Sequence, residues 1–149
     1  MKVDAFTDGS YLPTYGVGGY AAIMVSEGKT RKCVGYYTNS DCTNNKMEIR
    51  AIIRVADWLG ETQKEPCEIT IHTDSNYVMQ CAKHQFGWLT QEGRPNRTEW
   101  IELIRKVKKY GHKLHFVKVR AHSGILNNER ADKLAYEQAV KAIHVIGGK

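Results

Sequence analysis

Val3–Ser10 (VDAFTDGS) constrains the fold more than any other stretch of the chain. Val3, Ala5 and Thr7 alternate with Asp4, Phe6 and Asp8. A period of two builds a strand with one face turned to a core. Gly9-Ser10 then predicts a tight turn. As the first element of the chain, the run is expected to lie centrally in a sheet and to leave a carboxylate, Asp8, at its end. An aspartate before a glycine also serves as an ordinary turn former. Asp8 therefore gains weight only from three later acids.

Beyond a loop rich in Gly, Pro and Tyr at 11–18, Gly19–Ser26 and Arg31–Tyr37 read as strands joined at Glu27-Gly28-Lys29, a hairpin signal. With the first strand they predict an antiparallel three-stranded unit. Met47, Ala51, Val55 and Trp58/Leu59 then recur at helical spacing through Gly60, with Thr43 or Asn44 as the cap. Glu68–Thr73 is a strand, and the cap-type pair Asp74-Ser75 starts a short helix over Asn76–Lys83. Residues 84–97 have no clean period and read as a loop. A helix capped by Thr98 runs to about Tyr110 and stops at Gly111. Lys113–Val119 alternates as a fifth strand, Arg120–Asn128 is a loop, and a last helix spans about Asn128 to Ile143. The order β-β-β-α-β-α-α-β-α predicts an α/β fold. Its five-stranded mixed sheet, with the first three strands antiparallel, is flanked by about four helices.

A chain of 149 residues suits one domain over 1–149 with a sizeable core and a frayed tail at about 144–149. The net charge of +6 fits an anionic partner as well as a merely basic surface. Cys33, Cys42, Cys67 and Cys81 lack CxxC spacing, which argues against a zinc site. No apolar run of secretory or membrane-spanning length occurs. Reduced thiols packed as small hydrophobes in a cytoplasmic protein are therefore expected, with no membrane association and a monomer as the default.

Four acids occupy equivalent structural places. Asp8 ends strand one and Asp74 ends strand four. Glu48 lies early in the first long helix, and Asp132 early in the last. If strands one and four are neighbours, Asp8 and Asp74 stand side by side. Glu48 shares a helix face with Ala51, Ile52 and Val55, and Asp132 lies beside Ala131 and Leu134-Ala135. Both acids then sit near the buried stripe, where an ionised carboxylate is costly without a cation. Singly, each has a bland reading as a cap or as an acid near a helix N-terminus. Together they would repel, and divalent cations resolve that. Hard oxygen ligands with open water positions suit Mg²⁺. Two ions roughly 3.5–4 Å apart activate water and stabilise the leaving oxygen of a phosphodiester. His122, on the glycine-containing loop Arg120–Gly124, is placed to shuttle a proton. His84, His112, His115 and His144 carry no functional reading, and His72 is expected to face away or pack.

Several blocks carry a resemblance: Thr7-Asp8-Gly9-Ser10; Thr43-Asn44-Asn45 with Met47-Glu48; Thr73-Asp74-Ser75 with Tyr77-Val78; and Val119-x-x-His122 with Asn128-Glu129-Arg130-x-Asp132. Spanning nearly the whole chain in order, they resemble the type 1 ribonuclease H family. The resemblance implies Asp8, Glu48, Asp74 and Asp132 as metal ligands for two Mg²⁺ ions, with Mn²⁺ as a substitute, and His122 as the mobile proton-transfer residue. It implies endonucleolytic cleavage of the RNA strand of an RNA–DNA hybrid, leaving 5′-phosphate and 3′-hydroxyl ends. It also implies Asn45 and Asn76 among the minor-groove readers, Thr43 and Asn44 near a DNA phosphate, and Ser10 as a further substrate contact. Many bacterial members carry a basic, Trp-rich helical protrusion. Here residues 83–97 are too short for it and hold only Lys83, Arg94 and Arg97 as cations, with Phe86 and Trp88. Binding is then expected to lean on the basic helix Arg105–Lys109 or on a partner.

Overall fold

A computed structural model describes residues 1–84, 86–120 and 125–147. Strands β1 (Lys2–Leu12), β2 (Val17–Ser26) and β3 (Lys29–Tyr37) form the antiparallel unit. Next come α1 (Asn44–Thr62), β4 (Glu68–Thr73), α2 (Asn76–Ala82), α3 (Phe86–Leu89), α4 (Arg97–Tyr110), β5 (Lys113–Lys118) and α5 (Leu126–Gly147). The sheet order is β3-β2-β1-β4-β5, with β4 parallel to both β1 and β5. The mixed sheet with its antiparallel first three strands is as expected, and β1 is central.

Four local expectations need correction. Gly9-Ser10 is not a turn: β1 continues to Leu12, paired with β2 out to Val17. The glycine serves close approach instead. A Cβ on Gly9 would stand 2.6 Å from the backbone nitrogen of Glu48, so its absence lets α1 cross directly over the strand. Asp8 accordingly lies within the strand rather than at its end. The segment read as a loop contains the short helix α3, whose Leu89 is buried in the core. α4 begins one residue before Thr98, after Asn96 in the left-handed region (φ 59°), a conformation asparagine tolerates. α5 runs to Gly147 rather than ending near Ile143, because half-buried Val145 and Ile146 give its last turn something to pack on.

Odd-numbered residues of β1 face α1. Val3, Ala5, Ile69 and Ile71 of the sheet pack there against Ile49, Ile52, Val55 and Leu59, with Trp100 and Leu103 of α4 behind them. α5 covers the opposite face. Its stripe Ala131, Ala135, Ala139 and Ala142 is fully buried, and a Cβ on Gly19 would meet the Ala135 carbonyl oxygen at 2.3 Å. Small residues on both partners bring that helix down onto β2.

His112 pins the far end of the sheet. The Cys67 N–H donates to His112 Nδ1 at 3.0 Å, and His112 Nε2 donates to the Ala56 carbonyl at 3.1 Å. One neutral ring thus satisfies a buried donor on the way into β4 and a buried acceptor on α1. Burial lowers its pKa, which keeps it neutral. All four cysteines are free and buried. No described helix is long and apolar enough to cross a membrane.

Candidate active site

The pairing of β1 with β4 ends at Phe6–His72, and β4 ends at Thr73. β1 continues past that point, so a crevice opens beyond the carboxyl end of β4. A parallel strand and an antiparallel strand flank β1 here, which makes it a switch point in the sheet, the usual place for a ligand. Asp8 enters the crevice from β1, Asp74 from the residue after β4, and Glu48 from the second turn of α1. Asp8, Glu48 and Asp74 each offer a carboxylate oxygen, and those oxygens all lie within 4.8 Å of one another.

Two of the three acids are deeply buried, with Asp8 4% and Glu48 3% exposed. The Gly9 N–H serves both, reaching Asp8 Oδ1 at 2.9 Å and Glu48 Oε1 at 3.1 Å. Glu48 Oε2 is buried without a hydrogen-bond partner among the described residues. Burial first, then the charge of Asp74 and the hydrogen bond and charge of Asp132, push the Asp8 carboxyl up to about 8 against an opposing hydrogen bond with Glu48. Glu48 is held well above the ordinary carboxylate range by burial first and by Asp8 second. Asp132, exposed on α5, lies near enough to Asp8 to raise its proton affinity, although it stands outside the tight trio. Such a site is short of positive charge. Three hard oxygen donors with an orphaned lone pair suit a small divalent cation that keeps some of its waters. The Lys118 ammonium donates to the Asp74 backbone carbonyl and tethers the segment that carries that acid.

Of the other expected residues, Ser10, Thr43, Asn44, Asn45 and Asn76 each lie within five residues of one of these acids in the chain. Thr43 is the cap of α1, its Oγ1 accepting from the Lys46 N–H at 3.1 Å, and Asn44 and Asn45 lie exposed in the first turn. Ser10 lies two residues past Asp8 on β1, half-buried. Asn76 is the exposed first residue of α2, whose cap is Ser75. His122 lies outside the described residues. His72 packs in the sheet, stacked on Phe6 and paired with Asp4 Oδ1 at 2.8 Å. On α4, Lys106 is neutralised by Asp57 at 3.0 Å. In the short segment before α4, Trp88 lies between the His84 ring, 4.0 Å away, and the Arg94 guanidinium, 3.6 Å away. Sequence reasoning missed Lys46, Glu99 and Tyr77, which support the exposed turns. Tyr77 enters only as part of a family block, and the contacts of Lys46 with Glu99 and of Tyr77 with Asn96 and Trp100 join residues far apart in the chain.

Comparison with known proteins agrees with this geometry. The family model described as RNase H matches residues 1–140. A protein named Ribonuclease H from Campylobacter jejuni is 39% identical over 142 residues, covering 93% of this chain and 92% of its own. Another of that name from Nitratidesulfovibrio vulgaris is 38% identical over 148 residues, covering 93% and 90%. Among solved structures, LC9-RNase H1, described as a type 1 RNase H with the type 2 active-site motif, superposes with a TM-score of 0.77 at 23% identity, over 95% of this chain and 73% of its own. LC11-RNase H1 in complex with RNA/DNA hybrid superposes with a TM-score of 0.76 at 21% identity, over 95% and 99%. A family match across nearly the whole chain, relatives close to 40% identical, and a carboxylate trio in the crevice beside β1 lead to one conclusion: the chain belongs to the ribonuclease H family.

Proposed function

We propose that this chain cleaves the RNA strand of RNA–DNA hybrids internally, leaving 5′-phosphate and 3′-hydroxyl ends, with two Mg²⁺ ions, or Mn²⁺ in their place, held by Asp8, Glu48, Asp74 and Asp132. The observation that carries the reading is the convergence of Asp8, Glu48 and Asp74, with a buried oxygen of Glu48 left unpartnered. Ionised carboxylates buried as deeply as those of Asp8 and Glu48 are costly for folding alone, and a cation relieves them. Bound ions would supply an activated water and neutralise charge on the leaving oxygen.

The chain's own groups do the rest. The Gly9 N–H holds Asp8 and Glu48 in register, and Lys118 steadies Asp74. Asn45, Asn76 and Ser10 offer amide and hydroxyl groups to the wide minor groove, where the 2′-hydroxyl distinguishes RNA from DNA. Thr43 and Asn44 lie at the α1 N-terminus, whose free N–H groups favour a phosphate. His122 carries the proton to or from the reacting oxygen. The net charge of +6 suits a nucleic acid partner, and four free, buried cysteines suit the cytoplasm; a monomer is the default.

Cleavage assays on hybrid, double-stranded RNA and double-stranded DNA, with and without chelator, test this reading. Hybrid alone should be cut, and only with metal present. Asp74→Asn should abolish cutting while the protein stays folded, and wild-type rates in that variant would end the two-metal assignment. His122→Ala should slow turnover yet leave residual activity.

A further inference from the structure

Asn45 and Asn76 stand on different helices, α1 and α2. The first turn of α4 reaches both. Glu99 is buried, with only 7% of its side chain exposed, and faces the Lys46 ammonium at 3.6 Å. Lys46, itself 11% exposed, also pairs with Asp41 at 2.7 Å. The Tyr37 hydroxyl donates to the other oxygen of Asp41 at 2.6 Å. The polar turn leading to Thr43 is thereby fastened to β3 and to α4 together. One residue further along α4, the Trp100 indole N–H donates to the Tyr77 hydroxyl at 3.2 Å, and the Asn96 amide donates to the same oxygen at 3.0 Å. Lys46 follows Asn45 in the chain and Tyr77 follows Asn76. Both exposed asparagines are therefore tied, each through its next residue, to consecutive residues of one rigid helix end.

We propose that the first turn of α4 sets the separation between Asn45 and Asn76, which makes Glu99, Lys46 and Tyr77 positioning residues for hybrid selectivity; this rests on the reading of the two asparagines as minor-groove contacts. Two groups that straddle a groove select its width only if their own separation is stiff. A buried carboxylate–ammonium pair and a hydroxyl that accepts two hydrogen bonds provide that stiffness, because neither is free to re-pair with water. Trp100 lies within α4 and is 1% exposed, and Asn96 is the residue that leads into that helix, so the reference point itself does not move.

The test is Michaelis kinetics on hybrid, with competitive inhibition by uncut double-stranded RNA as the measure of selectivity, for wild type, Glu99→Gln and Tyr77→Phe, each also combined with Asn45→Ala or Asn76→Ala. Substitutions acting through a neighbour are non-additive. Glu99→Gln should raise KM for hybrid about fivefold with kcat within about twofold, and Asn45→Ala should then cost about fivefold less than it does in wild type. Tyr77→Phe should couple in the same way to Asn76→Ala. Lys46→Met should reproduce the Glu99→Gln phenotype, and Lys46→Arg should restore most of the loss. A fall in melting temperature with unchanged KM and selectivity, or strictly additive losses, would overturn the proposal while hybrid cleavage by wild type still stood. A wild-type protein unable to cut hybrid would overturn the functional reading and this proposal with it.

Discussion

Replacing Asp8 with asparagine should stabilise the metal-free protein, and the gain should depend on pH. In the fold the Asp8 carboxyl is pushed up from 3.8 to about 8. A carboxyl whose folded pKa lies above its unfolded value keeps a proton that the unfolded chain has already released. Stability is then intact below about pH 4, falls between about 4 and 8, and stays low above that. Each unit is worth about 1.4 kcal/mol, so the roughly four-unit rise sets a ceiling of about 6 kcal/mol. Glu48 and Asp132 share the crowding and take up part of the relief, so a gain of about 2–4 kcal/mol at pH 8.5 is expected. Asparagine preserves the shape and still accepts from the Gly9 N–H. Urea denaturation in chelator, at pH 4 and at pH 8.5, reads the effect directly. The two proteins should coincide at pH 4 and separate at pH 8.5. Saturating Mg²⁺ should raise the wild type and barely move Asp8→Asn, because a ligand stabilises only the state that binds it. Parallel pH profiles in chelator would refute the claim that unpaired charge at Asp8 strains the fold.

Three further outcomes are expected. Gly9→Ala drives a Cβ to 2.6 Å from α1 backbone atoms, so it should cost about 3 kcal/mol or more and cripple cleavage, as melting and activity assays would show. His112→Ala orphans the Cys67 N–H and the Ala56 carbonyl and should cost about 2–4 kcal/mol in chemical denaturation. With His112 the folded pKa is lowered, so its contribution is present above the unfolded value and lost as pH falls toward the folded one, and His112→Ala should flatten the wild-type acid limb. Hybrid binding should weaken with salt; for ~5 phosphate contacts, log K against log salt should slope about −4 to −5 in an anisotropy titration, and a flat response would exclude the basic surface as the binding face.

Periodicity and motif order were legible because they are local. The alternation in Val3–Asp8 and in Lys113–Val119, and the helical spacing of Met47, Ala51 and Val55, report which face each element buries. Gly9-Ser10 misled for a physical reason: a glycine at a turn and a glycine under a crossing helix look alike in sequence, and only the position of Glu48 separates them. The short α3 was invisible because four residues carry no period, and its Leu89 is held by packing rather than propensity.

The amino-acid order by itself determined the five strands and the α/β arrangement, since each follows from residue type and spacing within a few turns of chain, and it singled out Asp8, Glu48 and Asp74, which the fold brings together. The depth at which Asp8 and Glu48 lie, the lift in their proton affinities, and the linkage from Lys46 through Glu99 and Trp100 to Tyr77 were decided only by the tertiary structure. Desolvation and through-space pairing depend on what surrounds a group after the chain has closed on itself, and no pattern in nearby residues encodes them.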